Sequence, residues 1–195
     1  MNKEKLAEHR SYICEVRAES DAERESESII TGRPIVFNQR TDLGWFDEEI
    51  APGALDNTDL TDVRFLVNHD LSKIPLARSR NNNMKSTMQL EKNENGLDIT
   101  ARIDIEANAD ARALDSAVRR GDISGMSFMF FIDADEWENL ESDHPLRRIT
   151  SISRVVEVSA VTFPAYNATE TPAANDLELA KAKLEFTKLS GGQNK

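Results

Sequence analysis

A histidine, a serine and a glutamate stand out from their surroundings by residue type. His69 follows the apolar run Val63-Arg64-Phe65-Leu66-Val67 and sits between Asn68 and Asp70. An imidazole there either caps a strand end by hydrogen-bonding a neighbour or serves as a general base, work to which histidine is suited near neutral pH. Ser127 lies in Ser124-Gly125-Met126-Ser127-Phe128-Met129-Phe130. Alternation along a strand sets Met126, Phe128 and Phe130 on one face, with Ser127, Met129 and Phe131 on the other. A hydroxyl among such bulky groups is either satisfied on nearby backbone or is a nucleophile sheltered from competing water. Glu157 interrupts the valine-rich run Val155-Val156-Glu157-Val158-Ser159-Ala160-Val161. A buried lone carboxylate is costly, so Glu157 either faces water from an edge strand or has a partner. Paired with His69, it would be the orienting group of a nucleophile, base and orienter set. Spacing alone does not show that the three meet.

Other groups compete for these roles. Cys14 is the single cysteine. A reactive thiol needs a histidine or a helix N-terminus beside it, and the first expected strand offers neither, so Cys14 reads as a small core residue. His69, Asp70 and His144 could bind a metal, but they lack the i,i+4 spacing that sets two ligands on one helical face. His9 falls in a polar N-terminal stretch expected to fray.

The elements that must position these residues are mostly short strands. Ser11–Arg17, Ser28–Phe37, Val63–Val67, Ile74–Ser79, Thr87–Leu90, Gly96–Ile103, Ile123–Ile132 and Ile149–Phe163 carry strand composition. Gly32 and Pro34 mark a bulge or bend, and Asn93-Glu94-Asn95-Gly96 marks a turn. Over 107–120 the period changes: Ala107, Ala111, Leu114 and Val118 share one helical stripe, Asp115 and Arg119 form an i,i+4 pair, and Gly121 ends the helix. Glu19–Glu27 reads as a solvated loop or a polar hairpin tip, and Asp133–Arg148 as a charged loop. Residues 169–174 read as a linker, followed by a capped helix from Asn175 to about Leu189 that either docks on the body of the protein or serves as a delivery tag. Strands without βαβ alternation argue against a doubly wound sheet and for a mainly β, antiparallel barrel or sandwich with helices outside.

At 195 residues the chain is long enough to bury a core without disulfides or metal staples, and one domain of about 1–168 with a tail over 169–195 is expected. Thirty-five acidic residues against 24 basic ones give a net charge of −11. That balance disfavours nucleic acid and anionic lipid as partners. It serves solubility, or favours basic substrates or partners. No run approaches the length of a membrane span, and no hydrophobic stretch follows the N-terminus, so a cytoplasmic protein is expected.

Several blocks, in order, resemble the prohead maturation proteases of tailed bacteriophages. They are Gly32-Arg33-Pro34-Ile35-Val36-Phe37-Asn38; Glu49-Ile50-Ala51-Pro52-Gly53-Ala54-Leu55; Asn68-His69-Asp70 with Pro75-Leu76-Ala77-Arg78; Asn95-Gly96-Leu97; Gly121-Asp122-Ile123-Ser124-Gly125-Met126-Ser127-Phe128; and Val156 through Tyr166. The resemblance implies a serine endopeptidase that cuts scaffold or capsid-protein segments, and itself, inside an immature shell in the host cytoplasm. It implies a closed antiparallel β-barrel like that of the herpesvirus assembly proteases, no metal or cofactor, and a capacity for self-association. The family's histidine falls on His69 and its serine on Ser127. In the herpesvirus enzymes the third member is a histidine on the strand matching residues 154–161; here only Glu157 on that strand can accept from an imidazolium. Asp70 and the Asp143-His144 pair are the alternatives. By the same analogy the oxyanion donors are placed at Thr162-Phe163. Where many relatives carry Ser-Phe-Gly-Phe, this chain has Ser127-Phe128-Met129-Phe130, which fills space near the nucleophile. That departure supports the rival reading, a procapsid structural protein with a lapsed site.

Overall fold

The computed structural model describes residues 7–14, 16–21, 24–162, 177–182 and 184–185. In chain order the elements are β1 (Glu8–Ile13), β2 (Arg17–Ser20), β3 (Glu27–Val36), β4 (Thr41–Asp42), β5 (Asp47–Ile50), β6 (Asp62–Val67), β7 (Ala77–Arg80), β8 (Met88–Asn93), β9 (Gly96–Asp104), α1 (Ala109–Arg120), β10 (Gly125–Glu138) and β11 (Leu146–Val161). They form a seven-stranded sheet and a four-stranded sheet.

The long strand β11 organises the larger sheet. Along one edge it pairs antiparallel with β10, and β10 in turn pairs antiparallel with β1. Along its other edge it pairs in parallel with two strands in succession, β5 at residues 146–149 and β6 at 157–160. β4 and β7 then extend this side through β5 and β6. The smaller sheet runs β2-β3-β9-β8. The mainly β expectation holds. The closed barrel is not seen, because the ladders among the described residues leave both sheets open at their edges.

One shared core lies between the sheets. On β9, Leu97, Ile99, Ala101 and Ile103 are buried at every second position, as the period of a strand requires. They meet Ile30 and Ile35 of β3, Val63 and Phe65 of β6, and Met126, Phe128, Val158 and Ala160 of β10 and β11. The β3–β9 register slips between Gly32 and Ile35, at the Gly32/Pro34 break. α1 lays Ala111, Leu114 and Val118 on this core. Its N-terminus is capped by the Asn108 side chain, which accepts from the amides of Asp110 and Ala111 at 3.0 and 3.2 Å. Gly121, in the left-handed region, stops it.

The charged stretch over 133–148 is not a loop. Most of it extends β10 and β11 into a hairpin, with Trp137 opposite Arg147 and Glu138 opposite Leu146. Its charges are paired: Arg147 Nε donates to Asp135 at 2.7 Å, and Arg148 meets Glu49 at 3.0 Å. Arg147 is 2% exposed, and Glu8, Arg10 and Glu48 join it in a buried ionic network that ties β1 to β5 and β11. The expected helix start at Asn175 lies outside the described residues. Residues 177–182 are helical, and Leu177 is buried against Leu43 and Phe46.

Candidate active site

The turn after β6 presents His69. Asn68 and His69 both hold left-handed backbone, with φ of 51° and 59°, a conformation uncommon for non-glycine residues that needs support from its surroundings. The end of β11 supplies it. The Asn68 amide donates to the Ala160 carbonyl at 3.0 Å. The Asn68 side-chain oxygen accepts from the Thr162 amide and hydroxyl at 3.0 and 2.9 Å. The His69 amide donates to Ser159 Oγ at 3.2 Å.

This turn swings the imidazole onto Glu157. His69 Nδ1 lies 2.5 Å from Glu157 Oε1. The carboxylate is wholly buried, and its other oxygen accepts from Ser159 Oγ at 2.6 Å. Glu157 is therefore not an edge charge facing water. Both its oxygens are engaged, as a buried carboxylate requires.

Ser127 lies one strand over. Register pairs Ser127 with Ser159 and Met129 with Glu157 across β10–β11, and Ser11 with Ser127 and His9 with Met129 across β1–β10. Directly paired residues project from the same face of a sheet. His9, Ser11, Ser127, Met129, Glu157 and Ser159 thus share the face opposite the core. Ser127 is fully buried, and its hydroxyl donates to the Arg10 carbonyl at 2.7 Å. Among the described residues no hydrogen bond joins Ser127 to His69. Met129, two residues beyond Ser127 on the same face and also buried, fills the position where many members of the resembled family carry glycine.

The other candidates are placed elsewhere. Asp70 accepts from the Ser72 amide and hydroxyl at 3.0 and 2.5 Å, bonds that hold its carboxyl below the usual range. His144 meets Asp47 at 3.0 Å beside the opposite end of β11, away from His69. The trio of His69, Asp70 and His144 is therefore not a metal site. Cys14 is half-buried, and burial pushes its thiol up, which makes it a poor nucleophile. The Thr162 amide is committed to Asn68, and Phe163 lies outside the described residues.

Two partners of the site were not singled out in the sequence. Ser159 stands two residues after Glu157, the spacing that puts both on one face, and that alternation was a usable signal. His9 comes from the stretch expected to fray, yet it lies in β1. Its ring stands edge-on to that of His69 at 4.5 Å, with the two Nδ1 atoms 3.3 Å apart. Burial lowers its pKa below the ordinary histidine value, and the charge of His69 lowers it further. Beside the histidine turn lies a cavity of about 390 Å³, lined by Leu66, Asn68, Asp70, Leu76, Leu114 and Ile123 among others. Lys73 and Asp110, which also line it, are paired at 3.3 Å.

A histidine bonded to a buried carboxylate, on the face that carries a sheltered serine, is the equipment of acyl transfer by a nucleophile and a general base. A family model described as caudovirus prohead serine protease matches residues 14–183. Among solved structures, the chain is similar to the capsid assembly protease of bacteriophage T4, with 12% identity and a TM-score of 0.48 over 82% of this chain and 98% of that one. No curated protein matches it.

Proposed function

The chain belongs to the caudovirus prohead serine proteases, and on that premise we propose that Ser127 is its nucleophile, His69 its general base and Glu157 the carboxylate that orients the base. The activity is that of a serine endopeptidase of procapsid maturation. The observation that carries the residue assignment is the 2.5 Å contact between His69 Nδ1 and the buried carboxylate of Glu157. That contact fixes the tautomer with the proton on Nδ1 and leaves Nε2 with a free electron pair.

In this reading the Ser127 hydroxyl leaves the Arg10 carbonyl, passes its proton to His69 Nε2, and its oxygen attacks the scissile carbonyl. His69 then returns the proton to the leaving amine, and water repeats the cycle on the acyl-enzyme. Glu157 stabilises the imidazolium formed in between. Of the two expected oxyanion donors, the Thr162 amide is already given to Asn68, and Phe163 lies outside the described residues. The cavity beside His69 is apolar along Leu66, Leu76, Leu114 and Ile123, and suits an apolar substrate side chain.

The substrates in this reading are scaffold or capsid-protein segments and the chain itself, inside the procapsid within the host cell. Residues 1–168 form the protease domain and 169–195 a linker and helical tail. The burial of Leu177 against Leu43 and Phe46 supports docking of the first turn of that tail on the domain. The test is intact-mass spectrometry of the wild type and Ser127→Ala, each co-expressed with its capsid protein. Fragments that appear only with the wild type are expected. The same fragments from both chains would overturn the assignment of Ser127.

A further inference from the structure

We propose that His9, His69 and Glu157 form a binding site for a divalent transition metal, best suited to Zn²⁺, and that filling it locks the catalytic base. The three residues come from β1, the turn after β6 and β11, and their ligand atoms all lie within 4.8 Å of one another. His9 Nδ1 and His69 Nδ1 stand 3.3 Å apart. Two nitrogens bound to one tetrahedral zinc at about 2.0–2.1 Å are separated by about that distance. Glu157 Oε1 needs only to draw back from its 2.5 Å contact with His69 to complete the set.

Proton counting favours a cation at this point. The Nδ1 proton of His69 serves the Glu157 carboxylate, so His9 Nδ1 faces a nitrogen with no electron pair to offer. Three electron-pair donors converge on one proton, whereas a divalent cation would satisfy all three. Two imidazoles and one carboxylate with an open fourth position are an established zinc ligand set. Imidazole nitrogen with a carboxylate also selects zinc over the hard ions magnesium and calcium. Ser159 holds the far oxygen of Glu157 at 2.6 Å, the outer support that metal ligands ordinarily have. His9 is exposed while Glu157 is buried, so the ion enters from the His9 side and water takes the fourth position.

The consequence for catalysis rests on the assignment of His69 as the base. Metal on Nδ1 displaces the proton there, which moves through solvent to Nε2. The imidazole stays neutral, and no net proton is released. Nε2–H cannot accept the proton of Ser127, so the metal-loaded enzyme is inactive. Removing the metal restores the working tautomer.

The test is calorimetric titration of the full chain carrying Ser127→Ala with Zn²⁺, with the visible absorption of Co²⁺ as a second readout. One saturable site with tetrahedral Co²⁺ absorption is expected. His9→Ala and His9→Gln should each weaken binding at least about tenfold, and thermal melts of both would confirm that they fold. Binding that is absent, or unchanged in both His9 variants, overturns the site. In a peptidase assay of the wild type, zinc should inhibit and chelator should restore activity, with the inhibiting concentration raised by the same factor in His9→Ala. His9-dependent binding with a peptidase indifferent to zinc overturns the lock. His9-dependent binding in a chain without peptidase activity upholds the metal site and overturns the catalytic assignment instead.

Discussion

Ser159 Oγ donates to Glu157 Oε2 at 2.6 Å while accepting from the His69 amide at 3.2 Å. One hydroxyl thus fixes the Glu157 carboxylate and the backbone of His69, the proposed orienting group and base. Ser159→Ala frees the carboxylate to rotate and leaves the His69 amide without its acceptor. The expected cost in stability is about 1–3 kcal/mol, the range for leaving a buried polar group unsatisfied. Among folded molecules kcat should fall at least about tenfold with KM nearly unchanged, because the loss lies in orientation and not in substrate binding. Rates per titrated active site make the check. An unchanged kcat in the folded fraction would leave Ser159 a purely structural role.

The contact between His69 and Glu157 sets an order among three variants. In the proposed mechanism Ser127→Ala and His69→Ala each remove a group that exchanges the proton, and each should lower kcat to the residual level of binding and oxyanion stabilisation. Glu157→Gln keeps the size of the side chain but offers His69 an amide in place of a charge, so its loss should be large yet smaller than either. Single-turnover rates on one peptide would show it. A Glu157→Gln chain as active as wild type would move the orienting role elsewhere.

How much of this was legible in the sequence varies with the range of the interaction. Ser127, His69 and Glu157 stood out because each contradicts its local pattern, and contradictions of pattern are visible in one dimension. α1 was legible because its cap, stripe and terminal glycine are all local. The hairpin over 133–148 was hidden because its strands are held by ion pairs such as Arg147 with Asp135 and Arg148 with Glu49, whose partners are not adjacent in the chain. His9 was misjudged for the same reason. Its place in β1 depends on pairing with β10 and on the buried network of Arg10, Glu48 and Arg147, not on the polar composition of its own segment.

Two glycines with positive φ should respond very differently to alanine. A Cβ on Gly96 would stand 1.9 Å from the Ile35 carbonyl oxygen, in the antiparallel ladder that pairs β9 with β3. Backbone would have to move, so Gly96→Ala should cost more than about 3 kcal/mol, in the class of severe core disruptions. At Gly121 no atom lies within 4 Å of the added carbon, and only the φ of 77° opposes it. Gly121→Ala should cost about 1 kcal/mol. Urea unfolding of the two variants compares them, and similar midpoints would contradict the close approach at Gly96.

Acid should weaken the fold partly through Asp98. Its carboxylate accepts from Arg33 at 2.6 and 2.9 Å and from Asn93 at 2.6 Å. The bond from Arg33, first among these causes, holds its carboxyl below the usual range. A carboxyl lowered in the folded state stabilises above its unfolded value, about 3.9, and that contribution is lost as pH falls through the folded value. Unfolding free energy should therefore drop more steeply on acidification in the wild type than in Asp98→Asn. Both partners are partly exposed, so the difference is about 0.5 kcal/mol and shrinks in high salt. Parallel acid profiles for the two proteins would show that the pair contributes nothing.

Asn68 links the turn of the proposed base to the end of β11, and its variants separate hydrogen bonding from backbone strain. Its side-chain oxygen takes both the amide and the hydroxyl of Thr162, while its own φ is 51°. Asn68→Ala loses both bonds and forces alanine into left-handed backbone. Asn68→Gly loses the same bonds but adopts that backbone without a steric penalty. The glycine variant should therefore be the more stable of the two by about 1 kcal/mol. Both should lose turnover, since either change releases Thr162 and the turn that aims His69 at Glu157. Thermal melts and kcat on the same samples decide it: a stability gap with equally lowered kcat is expected. Full activity in Asn68→Gly would mean that the turn alone aims the imidazole and that its tie to Thr162 is dispensable.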